Sequence, residues 1–528
     1  MPLTDSMEKP PAAERTAGPI AVFSNSYARL PEHFFARRSP TAVAKARLIK
    51  FNESLASELG LDTRGLESDE LAAVFGGNVI PPGAEPIAMA YAGHQFGNFV
   101  PQLGDGRAIL LGEVVDRNGE RRDIQLKGAG RTRFSRRGDG RAALGPVLRE
   151  YLVSEAMHAL GIPTTRALAA VSTGETVFRD RQLPGAVLTR VASSHIRIGT
   201  FQYFAARGDM EAVEHLSGYV IDRHFPEARA SERPILALLQ IVVERQALLV
   251  ARWMHVGFIH GVMNTDNTAL SGETIDFGPC AFIDSYDPAT TFSAIDELGR
   301  YAYGNQPTIA HWNLARFAET LLPLLDPNPE RAVELANEAI STFTTRFQEH
   351  WLVGMRDKLG LSSNEEGDLE LAHALLRAMY ENAADFTLTF RRLCDAAADE
   401  KADADVRVLF ANPAAYDSWV ARWRSRLAAE ELESNARARA MRSANPAFIP
   451  RNHRVEQALD AAIEYGDFSP FAELLTVLSR PYEDQAAFAD YANPPHADER
   501  VFRTFCGTLI RLRVCQPKSD PARRLRAG

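Results

Sequence analysis

The chain has 528 residues, 45% hydrophobic and 24% charged, values that exclude a disordered or collagen-like polymer and allow a large folded core. Its 68 acidic and 59 basic side chains leave a formal net charge of −9, which argues against a general nucleic-acid binder. Cys280, Cys394, Cys506 and Cys515 lack the paired spacing of a zinc site and are too few for a disulfide scaffold at this length.

Residues 1–85 read as an irregular, Pro-rich lead with one helical stretch over 41–59. The first twenty carry neither the apolar stretch of a secretory signal nor the acid-poor character of a transit peptide, so the expectation is a cytoplasmic protein. Glycine then clusters in YAGHQFGNF, QLGDGR and LKGAGRTRFSRRGDGR. Two apolar runs, 108–115 and 121–127, flank an Asn118-Gly119 turn and predict a β-hairpin whose second strand ends at Lys127. A proline in the first turn, apolar residues three or four apart and a Gly161 stop predict a helix over 146–160. Strands are expected at 167–172 and 186–191, and a long apolar helix at 233–256 closed by Gly257. The strongest apolar run, 235–243, stops at Glu244, short of the ~18 residues a membrane span needs. From Trp312 onward the composition is Ala-, Leu-, Glu- and Arg-rich and predicts helix after helix, with no fixed-period repeat. The expected fold is α+β, a β-rich first lobe followed by a helical lobe and a helical extension.

Three separated pieces could form one nucleotide site. Lys127 ends a strand, and Glu150 lies 23 residues on, in the next helix. Such a lysine can hold phosphate oxygens while a carboxylate fixes it by ion pairing, but Glu155 on the same helix competes for that role. The second piece is HGVMNTDNTALSGETIDFG, residues 260–278. Here Asp266, Asn267 and Asp276 surround an expected short hairpin (268–270, a Ser271-Gly272 turn, 274–275), and converging carboxylate and amide oxygens suit Mg²⁺. Asp276-Phe277-Gly278 spells the metal-binding tripeptide of protein kinases, and Asn267 stands five residues after Val262, where a kinase has its catalytic aspartate. The metal ligands are thus present and the usual base is replaced by valine. The third piece pairs Gly104-Asp105-Gly106-Arg107 with a second run from Gly128 to Arg141, which carries Arg131, Arg133, Arg136, Arg137 and Arg141. Glycine lets backbone approach phosphate and guanidinium binds it, although neither run completes a dinucleotide or P-loop fingerprint. His94 and His260, each beside glycine, read as hydrogen-bonded structural residues.

Long stretches resemble the selenoprotein O family of kinase-like protein adenylyltransferases. They are YAGHQFGNFVPQLGDGRAILLGEV, DIQLKGAGRTRFSRRGDGRAALGPVLREYLVSEAMHALGIPTTRAL, PGAVLTRVASSHIRIGTFQYFAARGD and GFIHGVMNTDNTALSGETIDFGPCAFIDSYDP. The resemblance implies a protein-kinase-like two-lobed fold with an N-terminal extension (1–85), an N-lobe (86–199), a C-lobe holding the metal loop (200–345) and a helical extension with tail (346–528). It implies that ATP binds flipped, so that AMP passes to Ser, Thr or Tyr hydroxyls of proteins, the chain itself included, with Mg²⁺ or Mn²⁺ and without nucleic acid or membrane. By this resemblance Lys127 with Glu150, Arg190 and Arg197 hold the buried phosphates, and Gly104, Gly106, Arg107, Asp139 and Gly140 contact the nucleotide. Asn267 and Asp276 hold the metal, and Asp266 is the proton acceptor. A conventional phosphotransferase and a non-catalytic nucleotide-binding scaffold are the alternatives. Family members carry a redox residue near the C-terminus, which implies a Cys280–Cys506 disulfide, although here the chain continues beyond Cys506 and Cys515 is a rival partner.

Overall fold

The computed structural model of the protein describes residues 20–505. Its sheet is antiparallel and has the order β1-β3-β6-β7-β10-β9-β2, with β8 paired to β10. The strands are β1 (Phe35–Arg37), β2 (Arg47–Phe51), β3 (Ile87–Met89), β6 (Ala108–Val115), β7 (Arg121–Lys127), β8 (Ala142–Ala143), β9 (Arg166–Phe178) and β10 (Gln182–Ala192). Two strands between β3 and β6, β4 (Gly93–Gln95) and β5 (Asn98–Val100), form a separate hairpin.

The predicted β6–β7 hairpin is present with both ends as expected, Ala108 standing opposite Lys127. The lead is different. Its expected helix over 41–59 is a strand, β2, followed by a short helix, α1 (Glu53–Glu58), because Asn52 stops the strand and caps the helix by accepting from Leu55 N. With α2 (Ser68–Phe75), α1 covers one face of the sheet, where Leu55, Leu71, Phe75, Ile124, Leu126, Val187 and Val191 share a core. Both β9 and β10 run past their predicted apolar cores, because the polar Ser172–Thr176 stretch of β9 breaks the apolar run before Val177 and Phe178, the latter 69% exposed.

The opposite face packs on α3 (Leu144–Ala159), which begins two residues before its predicted start. The helices α4 (Ile198–Ala205), α5 (Met210–His224), α6 (Pro234–His255), α7 (Gln306–Leu325) and α8 (Pro329–Leu359) follow, with a two-stranded ribbon of β11 (Phe258–Ile259) and β12 (Ala281–Phe282). Helix α6 is longer in its apolar character than its first run suggests, since the apolar pattern resumes after Glu244-Arg245. With a mean hydropathy of 1.6 it is long and apolar enough to cross a membrane, yet half of that window is buried inside the protein, and α7 and α8 pack on it.

Seven further helices, α9 to α15 in chain order from Asp368 to Leu478, complete the described helical part. They gather partly on a second core around Trp419 and Trp423. Arg451, 1% exposed, ties this region to β12: its Nη1 donates to Asp284 at 2.8 Å and Asp385 at 2.7 Å, and its Nη2 donates to Ala492 O at 3.0 Å. Removing one member of a buried ionic cluster leaves the others uncompensated, so Arg451→Ala is expected to lower stability by ~3–5 kcal/mol in urea unfolding. A Met variant of similar bulk should recover little, because Asp385 remains buried and unpaired.

Candidate functional site

Strand alternation assembles the first part of the site. Gln125 and Lys127 point to the α3 face of β7, while Ile124 and Leu126 enter the opposite core. Arg190 on β10 stands opposite Gln125 and donates from Nε to its Oε1 at 2.8 Å. From α3, Glu150 accepts from Lys127 Nζ at 2.5 Å and from Arg190 Nη1 at 3.1 Å. Glu155 is five residues further, about 140° round the helix. It binds Arg166 at 2.9 Å and Asn52 at 2.8 Å instead, so the choice between the two glutamates falls on Glu150.

The 260–278 segment supplies the second part, without the expected hairpin. Ala269 bridges to Arg197 and Thr274 to Thr164, so each arm pairs with a different segment of the chain in place of the other arm. Thus Leu270 N donates to Ile196 O at 3.0 Å, and Thr274 N to Pro163 O at 2.9 Å. The arms still return Asp276 to the base of the site, where its φ of +63° lies in the left-handed region that aspartate tolerates better than most residues. Its Oδ1 accepts from Lys127 at 2.6 Å and Arg190 at 2.7 Å, and its Oδ2 from Arg197 at 2.9 Å. Burial alone would raise the Asp276 carboxyl, but Lys127, Arg190 and Arg197 hold it well below the usual carboxylate range. Burial likewise opposes the Arg190 charge, and Asp276 and Glu150 restore it.

Arg197 is the N-cap residue of α4 and is 2% exposed. Its Nε donates to His195 O at 3.3 Å, its Nη1 to Asp266 O at 2.7 Å, and its guanidinium lies 4.5 Å from the Tyr91 ring centre. Its buried Nη2 has no hydrogen-bond acceptor, a vacant donor at the base of the site. His195 in turn is held by Asp123 at 3.0 Å.

These groups open onto a cavity of about 760 Å³. Gly104, Gly106, Arg107, Lys127, Asp139, Gly140, Arg190, Arg197, Asp266, Asn267 and Asp276 all line it, and Glu150 stands behind them through its two ion pairs. Of the arginine run, Arg136, Arg137 and Arg141 reach the cavity, whereas Arg131 and Arg133 are exposed outside its lining. Asp139 is anchored by Arg179 at 2.8 Å. Gly130 N donates to Gly140 O at 3.0 Å, which closes the base of the arginine-bearing loop.

Spacing alone did not mark Tyr91, Gln95, Gln125 or Arg179. Gln125 had a usable signal, since it lies two residues before Lys127 and therefore on the same face of the strand. His94 and His260 are structural as read: His94 Nδ1 lies 2.8 Å from Gln202 Nε2, and His260 Nε2 lies 2.9 Å from Ile275 O. Cys280 is buried and forms no disulfide among the described residues, and burial pushes its thiol up to about 12. Cys506 and Cys515, and with them the Cys280–Cys506 pairing, lie outside the described residues.

Among the described residues no cluster of three or more His, Cys, Asp or Glu side chains is arranged to enclose a metal. Asp276 and Asn267 both line the cavity with oxygen-bearing side chains, a set that suits Mg²⁺ or Mn²⁺ completed by phosphate and water. Asn267 Nδ2 donates to Val262 O at 3.0 Å, which turns the amide so that its oxygen is the atom left for a cation.

Residues 20–479 match the sequence profile of the family described as "Protein adenylyltransferase SelO". A Rhizobium johnstonii protein named "Protein nucleotidyltransferase YdiU" is 65% identical over 486 residues, 92% of this chain and 97% of that protein. Proteins of the same name from Rhizobium etli (strain CIAT 652) and Nitrobacter hamburgensis are 64% and 62% identical, covering 96% and 94% of this chain and the whole of each relative. The chain therefore belongs to the SelO family of protein adenylyltransferases, enzymes of the nucleotidyltransferase class.

Proposed function

We propose that the cavity binds ATP with its γ-phosphate against Lys127, Arg190 and Arg197, and that AMP passes to Ser, Thr or Tyr hydroxyls of proteins, including the chain itself, with release of pyrophosphate. The observation that carries this reading is the convergence of those three cations on Asp276 in the cavity lining. The cavity lining carries eight Lys or Arg side chains against four aspartates, with Glu150 behind them, an excess of positive charge that a polyphosphate would neutralise. Gly104, Gly106, Arg107, Asp139 and Gly140 then contact the rest of the nucleotide, and the α-phosphorus faces the acceptor.

In the transfer, the acceptor oxygen bonds to the α-phosphorus while the bond from that phosphorus to the bridging oxygen breaks, and pyrophosphate leaves with the electron pair. The hydroxyl proton goes to Asp266. Burial lifts the Asp266 carboxyl to about 6 against the opposing charge of Arg197, so it is mostly ionised at neutral pH and more basic than a surface carboxylate. Asn267 and Asp276 would hold Mg²⁺ or Mn²⁺, which when bound neutralises phosphate charge. The same reading makes the protein a cytoplasmic enzyme with kinase-like lobes at 86–199 and 200–345, a lead before them and a helical extension over 346–528.

The test is incubation with Mg²⁺ or Mn²⁺ and ATP labelled at the α or the γ position, followed by the mass added to the enzyme and to extract proteins. Addition of AMP is expected. Addition of phosphate would establish the conventional phosphotransferase, and no addition to any protein would leave a nucleotide-binding scaffold.

A further inference from the structure

We infer that Gln95 is a positioning residue for the proton acceptor, and that the β4–β5 hairpin is built to hold Asp266 at the acceptor end of the site; this rests on the proposed role of Asp266. The hairpin stands apart from the main sheet and lies along the turn that carries Asp266. Three contacts fix it there, one from each successive residue. His94 N donates to Thr265 Oγ1 at 2.7 Å, Gln95 Nε2 to Asp266 Oδ2 at 3.2 Å, and Phe96 N to Asn264 Oδ1 at 3.1 Å. Asn264 is held from the other side by the Tyr301 hydroxyl at 2.6 Å.

The two oxygens of Asp266 have different surroundings. Oδ1 is buried with no hydrogen-bond partner, and it faces Gly93 so closely that a β-carbon there would stand 2.7 Å away. A proton arriving from the cavity therefore has to reach Oδ2, the oxygen that Gln95 holds. Gln95 itself is half-buried and lines the same cavity. Its amide fixes the carboxylate about its last torsion while Arg197 fixes the backbone carbonyl of the same residue. An acceptor oriented before the hydroxyl arrives requires no rearrangement during transfer.

Gln95→Leu keeps similar bulk and removes the donor. Its kcat for AMP transfer is expected to fall ~10–100-fold, with KM for ATP changed less than ~2-fold, because only the proton-accepting group is disturbed. Gln95→Glu, which sets a second carboxylate against Asp266, should fall at least as far. In an Asp266→Asn background the further change Gln95→Leu should alter kcat less than ~2-fold, since the group it orients is gone. Unchanged kcat in Gln95→Leu overturns the inference, as does a matching rise in KM for ATP or a full additional loss in the Asp266→Asn background. Wild-type transfer by Asp266→Asn alone would overturn the role of Asp266 as well, and so separates failure of that assignment from failure of the role of Gln95. Thermal melting of each variant shows whether a loss comes from unfolding.

Discussion

Asp276→Ala is expected to abolish AMP transfer while tightening the binding of metal-free pyrophosphate or ATP. The two effects have opposite signs because, on the proposed reading, the carboxylate would serve as a metal ligand in one state and as a competitor in the other. Without a ligand, it occupies Lys127, Arg190 and Arg197 at 2.6, 2.7 and 2.9 Å, so an incoming phosphate has to displace it. Removing it frees three cations for the anion, leaving Arg197 without its carboxylate partner and Lys127 and Arg190 with Glu150 alone. The ligand-free variant should therefore lose ~3–5 kcal/mol of stability and melt lower, and pyrophosphate with a chelator present should restore more melting temperature to the variant than to the wild type. Weaker metal-free binding by the variant would show that these cations do not hold phosphate. Asp276→Asn, which keeps the volume and one acceptor oxygen, should lie between the two in stability and still lack transfer.

The second large effect is expected at Gly140. Its φ is +73°, and an added β-carbon would stand 2.2 Å from the backbone carbon and oxygen of Gly130. No rotamer change relieves a backbone clash, so Gly140→Ala has to open the base of the loop that carries Arg136, Arg137 and Asp139. We expect KM for ATP to rise by ~10-fold or more, since phosphate and ribose contacts depend on geometry held within about 1 Å. The β6–β7 turn supplies the control. Gly119 has a φ of +84° with nothing within 4 Å of its added β-carbon, so Gly119→Ala should cost ~1 kcal/mol of stability at most and leave KM unchanged. Equal effects on KM from the two variants would refute the assignment of the loop to the nucleotide.

Much of this arrangement was legible in the residues themselves where the signal was local. An Asn-Gly turn between alternating strands placed Lys127 at a strand end, and proline and glycine marked α3, which carries Glu150. The choice of Glu150 over Glu155 was not legible, because it depends on which side of α3 meets β7, a matter of tertiary packing. Arg190 and Arg197 came from resemblance alone, and their partners Gln125 and Asp276 lie 65 and 79 residues away from them respectively. The 268–275 hairpin failed for a related reason: two short arms pair with whichever backbone is nearest, and here Arg197 and Thr164 were nearer than each other. The lead was misread because β2 is an edge strand with one neighbour and little apolar alternation to announce it.

The place of β1 and β2 at the two edges of the sheet bears on how the chain is made. Lys50 pairs with Ala170, so β2 leaves the ribosome roughly 120 residues before its partner, which at about 5–20 residues per second is some 6–24 s. For that interval a strand destined for a sheet edge has no lawful neighbour and could pair with another nascent chain. Arg47 and Lys50, both exposed in the finished sheet, put charge on that strand from the start. Lys50 thus lies where an unpaired edge most needs protection during synthesis, far from the phosphates that Lys127 would meet.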